Sequence, residues 1–118
     1  MKPGYSGIKR ILFATQYSIK GLRAAWQHEA AFRQELMVVL CLIPLTFVLP
    51  VSKLEQLMMI ASLVLVVIVE LLNSAIEAVV DRVGSEWNEL SGRAKDIGSA
   101  AVFVSLLFAV FTWFLILI

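Results

Sequence analysis

The stretch VELLNSAIEAVVDR, residues 69–82, carries Glu70, Glu77 and Asp81 in the continuation of a long apolar run. Seven residues separate Glu70 from Glu77, and four separate Glu77 from Asp81. At about 100° per residue, a helix projects all three within roughly 20° of one line. Asn73 and Ser74 flank that line, while Leu71, Leu72, Ile76, Val79 and Val80 are apolar. Several kinds of chemistry suit such a stripe. A carboxylate can take a proton from a reacting hydroxyl. Carboxylate oxygens suit a hard cation such as Mg²⁺. A line of acids can also pass protons or ions. The structural alternative is polar side chains that hold helices together. Two glutamates, an asparagine and an aspartate on one face favour a functional role. A complete relay would need acids in the last apolar segment, where beyond Asp96 only Ser99, Ser105 and Thr112 offer polar groups.

Other chemistry-bearing residues are few. HEAAF, residues 28–32, begins like the zinc-protease helix HExxH, but Phe32 stands at the second ligand position and His28 is the sole histidine. A zinc protease is excluded on that ground. Glu29 remains of interest as an oxygen donor. Lys95 and Asp96 stand where a polar segment meets the last apolar run, and Lys95 could neutralise phosphate charge. The chain contains no GxxxxGK[ST] phosphate loop and no protein-kinase HRD or DFG element.

These residues must be positioned by membrane helices. Of 118 residues, 60% are hydrophobic, against about 45–50% in a soluble domain. The formal net charge of +1 gives no case for a nucleic-acid partner. A lone cysteine, Cys41, excludes a disulfide framework and reads as a buried, inert thiol. No cleavable signal peptide is apparent. The chain reads as a single domain, 1–118, all-α, with membrane helices over 30–49, 54–83 and 93–118. Pro44 should bend the first of these and Pro50 should end it. PVSKLEQ reads as a short turn, and DRVGSEWNELSGRAKD as a polar loop. Residues 5–27 place Ile8, Leu12, Ile19, Leu22 and Trp26 near helical spacing, opposite Lys9, Gln16, Lys20, Arg23 and Gln27. That pattern predicts an amphipathic helix on the membrane surface.

Basic residues crowd the N-terminal segment and the second loop, whereas the first loop holds only Lys53. This places the N-terminus and the polar loop in the cytoplasm. If hydrocarbon begins near Leu57, about twenty residues cross it. Glu77 then lies near the cytoplasmic interface and Glu70 roughly 10 Å deeper. Glu29, where the surface helix meets the first span, falls at the level of Glu77. Glu29 and Glu77 together would suit Mg²⁺ bound to a substrate phosphate. Three spans make too thin a bundle to shield the polar stripe, so oligomerisation is expected.

The segments KGLRAAWQHEAAFRQE (20–35), IVELLNSAIEAVVDR (68–82) and SEWNELSGRAKDIGSAAV (85–102) closely resemble the small bacterial integral-membrane diacylglycerol kinases. The resemblance covers nearly the whole chain. It implies a homotrimer of three-span subunits, each with an N-terminal surface helix, in the bacterial cytoplasmic (inner) membrane. It implies transfer of the γ-phosphate of ATP, with Mg²⁺, to diacylglycerol, giving phosphatidic acid in phospholipid recycling. Sites shared between subunits at the cytoplasmic interface belong to the same picture.

By the same resemblance Glu70 is the catalytic base, with Asn73 near the reacting groups and orienting it, and Glu29 and Glu77 hold the metal. Nucleotide contacts fall to Arg10, Tyr17, Glu86, Trp87, Asn88, Lys95 and Asp96, together with Glu29 and Glu77. The family varies at the positions of Trp87 and Asn88, so backbone contacts are expected there. The lipid wall is implied at Ala14, Thr15, Gln16, Tyr17, Ser18 and Ile19, and at Arg23, Ala24, Ala25 and Trp26. It continues through Ala31, Phe32, Arg33, Gln34 and Glu35, with Arg10, Glu70 and Ser99. Undecaprenol phosphorylation, performed by related family members, is the alternative activity. A small non-enzymatic membrane subunit or an ion-conducting oligomer is the alternative of a different class.

Overall fold

The computed structural model describes residues 6–84 and 86–118. Four helices follow one another: α1 (Gly7–His28), α2 (Ala30–Leu45), α3 (Lys53–Val83) and α4 (Glu89–Leu117). No strand occurs among the described residues.

One residue joins α1 to α2. Glu29 adopts an extended backbone, φ −118° and ψ 103°, closing one helix and opening the next. Its N–H donates to the carbonyl of Ala25 at 2.9 Å, and its own carbonyl accepts from the N–H of Arg33 at 3.2 Å. The last carbonyls of a helix lack partners within it. Here the Arg33 guanidinium supplies them: Nη1 donates to the carbonyls of Trp26 at 2.7 Å and Gln27 at 3.3 Å. A cation at a helix C-terminus also complements the helix dipole.

The α2 helix stops at Leu45, four residues short of the expected Leu49. Pro44 lacks the N–H that would bond back along the helix. The chain then tightens into turns, with N–H groups of Thr46, Phe47 and Val48 bonding the carbonyls of Ile43, Pro44 and Leu45 at 3.1 Å each. Thr46 is buried and accepts from Gln56 Nε2 at 3.1 Å, fastening the turn to α3. The α3 helix opens on a reciprocal cap: Ser52 Oγ accepts from the Glu55 N–H at 3.1 Å, and Glu55 Oε1 accepts from the Ser52 N–H at 2.9 Å.

Helices α3 and α4 form the tightest pair. The buried stripe of α3 runs through Met59, Ser62, Leu63, Val66, Glu70 and Ser74, apolar at one end and polar at the other. The facing positions of α4 are small: Gly98, Ser105, Ala109 and Thr112. Small side chains let two backbones approach closely. Ser105 and Thr112 donate to carbonyls of their own helix, at Val102 and Phe108, which satisfies their hydroxyls at the helix contact. Trp113 Nε1 reaches across to the carbonyl of Met59 at 3.2 Å and ties the far ends.

Both α3 and α4 are long and apolar enough to cross a membrane. Their outward faces carry exposed Leu57, Ile68, Phe103, Val104, Phe111 and Phe114. The core helix of a soluble protein would bury such side chains. With 16 residues, α2 spans about 24 Å, less than the roughly 30 Å of a hydrocarbon core. Cys41, expected to be buried, lies on the exposed side of α2.

Candidate active site

The α4 helix begins at Glu89, four residues before the expected start. Asn88 caps it: its Oδ1 accepts from the N–H groups of Leu90 at 2.9 Å and Ser91 at 3.1 Å. The segment ELSG, expected ahead of the helix, therefore forms the first turn of α4. Lys95 and Asp96 lie on α4 alongside the polar end of α3.

Three levels of polar contact climb this end of the molecule. At the deepest, Glu70 is only 4% exposed. The carboxyl of Glu35 comes close to it from α2, with its Oε2 buried and lacking a hydrogen-bond partner. The charges of Glu77 and Glu29 also act on Glu70. One turn further along, Asn73 Nδ2 donates to Glu77 Oε1 at 3.2 Å. At the uppermost level, Lys95 Nζ meets Asp81 Oδ1 at 2.7 Å, joining α4 to α3. Lys95 also feels the charge of Glu77.

Two clefts flank this column. One, of about 450 Å³, lies among α2, α3 and α4, where Glu35 and Gln34 meet apolar Val39, Leu63, Val66, Ala109 and Trp113. The other, of about 680 Å³, runs between α1 and α3, lined by Leu22, Ala25, His28, Glu29, Leu71 and Ala78. Ser74 also faces this second cleft, and its Oγ is buried with no hydrogen-bond partner. A molecule with apolar tails and a polar head could enter either cleft and bring its head to the acids.

The structure thus gathers Glu29, Glu35, Glu70, Asn73 and Glu77, with Lys95 near Glu77. Glu35, expected only in the lipid wall, is an immediate neighbour of Glu70. Arg10, Ala14, Thr15, Gln16, Ser18 and Ile19 lie exposed along α1, with Tyr17 half-buried and the Lys20 ammonium 5.9 Å from its ring. Arg23, Ala24, Trp26 and Ala31 are exposed, whereas Ala25 and Phe32 are buried. Glu86, Trp87, Asp96 and Ser99 are exposed, and the Asn88 side chain is engaged in capping. Among the described residues, no three His, Cys, Asp or Glu side chains gather closely enough to hold a metal unaided. A carboxylate pair completed by phosphate oxygens and water fits that finding and the preference of Mg²⁺ for few protein ligands.

Asp81 stands on the carboxylate line expected from the sequence, and its pairing with Lys95 is what the sequence does not reveal. Gly98 was not singled out; its signal is a glycine opening the small-residue run GSAA within an apolar helix.

The chain also matches known proteins over nearly its whole length. The family model described as prokaryotic diacylglycerol kinase matches residues 16–117. The chain is 56% identical over 112 residues to a diacylglycerol kinase of Escherichia coli (strain K12), covering 95% of this chain and 92% of that one. It is 55% identical over 115 residues to a diacylglycerol kinase of Pseudomonas aeruginosa, covering 98% and 94%. A Haemophilus influenzae diacylglycerol kinase is 50% identical over 108 residues, covering 92% of each chain. With a match of this extent to the family and to its named relatives, and with two membrane-capable helices, the chain belongs to the prokaryotic diacylglycerol kinases and is a membrane protein.

Proposed function

We propose that this chain is an ATP-dependent kinase that phosphorylates the free hydroxyl of sn-1,2-diacylglycerol, giving phosphatidic acid. The observation that carries the mechanism is the burial of Glu70 on a membrane-grade helix, directly below the Asn73–Glu77 pair. A lipid hydroxyl comes from the hydrocarbon side and a phosphate from the aqueous side. Only a graded column of acids serves both.

Glu70 accepts the proton of the lipid hydroxyl as that oxygen attacks the γ-phosphorus of ATP. A new P–O bond forms to the lipid, and the bond to the β-phosphate oxygen breaks, leaving ADP. Glu35, in contact with Glu70, limits the positions its carboxyl can take. Glu29 and Glu77 would hold Mg²⁺ brought with ATP, and the ion would offset charge on the phosphate oxygens. Asn73 orients Glu77. Lys95, held by Asp81, faces the triphosphate, and Arg10, Tyr17, Asp96 and the 86–88 segment complete the nucleotide contacts. The α1 helix lies along the membrane surface, and its Ala14–Ile19 and Arg23–Trp26 segments form the lipid wall with residues 31–35 and Ser99.

In this reading α2, with the turn after it, is a third span, the N-terminus faces the cytoplasm, and three copies share their sites. The exposed apolar faces of all four helices support burial against lipid and other copies. Relatives at 50–56% identity bear the diacylglycerol name, which favours that substrate over undecaprenol. Assay of the purified protein with ATP, Mg²⁺ and each lipid alcohol tests the proposal. Phosphatidic acid is the expected product, and a clear preference for the polyprenol would overturn the substrate assignment.

A further inference from the structure

The α3 and α4 helices meet at a close point where Asn73 faces Gly98. Gly98 is buried, and a β-carbon built on it would collide with Asn73 Oδ1. That oxygen is itself buried and has no hydrogen-bond partner. The nitrogen of the same amide donates to Glu77 Oε1. An amide group is planar and rigid, so its two ends are not set independently. With Oδ1 seated against Gly98, Nδ2 points at Glu77. Turning the amide over would bring its oxygen against a carboxylate, acceptor against acceptor. The α-hydrogens of a glycine are weak donors, which suits a carbonyl oxygen lying against them.

We propose that Gly98 is a positioning residue for the metal–nucleotide site. The absent side chain is the seat of Asn73 Oδ1, and through that amide α4 sets the Glu77 carboxylate. The proposal rests on the reading of Glu77 as a metal-holding residue. The bland alternative is that Gly98 serves only close packing of α3 on α4. The two differ in what a methyl group would displace. The atom in its way is the end of a side chain and not a backbone atom. An alanine can therefore be accommodated by turning Asn73 aside, with the helices still packed and Glu77 released.

The test uses the full chain purified in detergent, with Mn²⁺ as the probe and a non-hydrolysable ATP analogue present. Bound Mn²⁺ is read by electron paramagnetic resonance, and thermal unfolding is read beside it. Gly98→Ala is expected to weaken Mn²⁺ binding about tenfold, the usual lower bound for losing a group that orients a ligand. Asn73→Ala is expected to weaken it by a similar factor. Adding Gly98→Ala to Asn73→Ala should cause no further loss, because the displaced side chain is already gone. If Gly98→Ala alone unfolds, the double variant, which has room for the methyl group, should regain the thermal transition of Asn73→Ala. Unchanged Mn²⁺ binding in Gly98→Ala, or a double variant weaker than Asn73→Ala, would overturn the proposal. A wild-type chain that binds no Mn²⁺ with the analogue would instead sink the metal assignment of Glu77.

Discussion

Lys95 on α4 and Asp81 on α3 are joined by a 2.7 Å ion pair at the aqueous end of the acid column. Both side chains are substantially exposed, 44% and 66%, so the pair contributes little to stability. Its value lies in aim: Asp81 holds the ammonium beside Glu77. Lys95→Ala should raise the KM for ATP by at least about tenfold, a cost in the range of one charge-assisted hydrogen bond. Asp81→Asn should raise it by less, and adding Asp81→Asn to Lys95→Ala should change nothing more. Steady-state kinetics at varied ATP distinguish these outcomes; additive losses would show that Asp81 acts on its own.

Glu70→Gln keeps the size of the side chain and removes its ability to accept the hydroxyl proton. The expected loss in kcat is about 10²–10⁴-fold, the range for a positioned base. Nucleotide binding should be nearly unchanged, since Glu70 lies a turn deeper than the Asn73–Glu77 pair proposed to meet the phosphates. Lipid phosphorylation at wild-type rate would remove Glu70 from the catalytic role.

Glu77→Ala removes a proposed oxygen ligand and the acceptor of the Asn73 amide. The Mg²⁺ concentration at half-maximal rate should rise at least about tenfold, since even groups that merely orient a metal ligand cost that much. Rates measured across a Mg²⁺ titration at fixed ATP provide the check. An unaltered Mg²⁺ dependence would reassign the residue.

Arg33→Ala leaves the carbonyls of Trp26 and Gln27 without their guanidinium partner. The cost is about 1 kcal/mol, the typical worth of a hydrogen bond, felt at the α1–α2 junction and not in the α3–α4 pair. Hydrogen exchange should quicken at the end of α1 while that of α3 stays slow. Arg33→Lys should restore only part of the protection, because an ammonium cannot present the planar fork.

The carboxylate line was legible because it lies within one helix, where periodicity alone aligns Glu70, Glu77 and Asp81. The opening of α3 was legible in principle too, since Ser52 and Glu55 stand at capping-box spacing. The start of α4 was harder: ELSGRAKD is charged and contains a glycine, so it resembles a loop, although Asn88 supplies the cap. A polar helix end that projects from a membrane carries no apolar stripe to reveal it. The Glu35–Glu70, Asp81–Lys95 and Asn73–Gly98 relationships join different helices, and no periodicity reports them. Cys41 was misplaced for a related reason. In a membrane protein apolar surroundings in sequence do not imply an interior position, because lipid accepts what water would exclude.

The joint at Glu29 has a mechanical corollary. With a lone extended residue between them, α1 and α2 share a rotational phase. Inserting one amino acid there would lengthen the joint and change the direction in which α1 leaves it, moving Ala25 and Leu22 off the cleft that Leu71 and Ala78 complete. Sequence length at this elbow is thus as tightly constrained as the chemistry it carries.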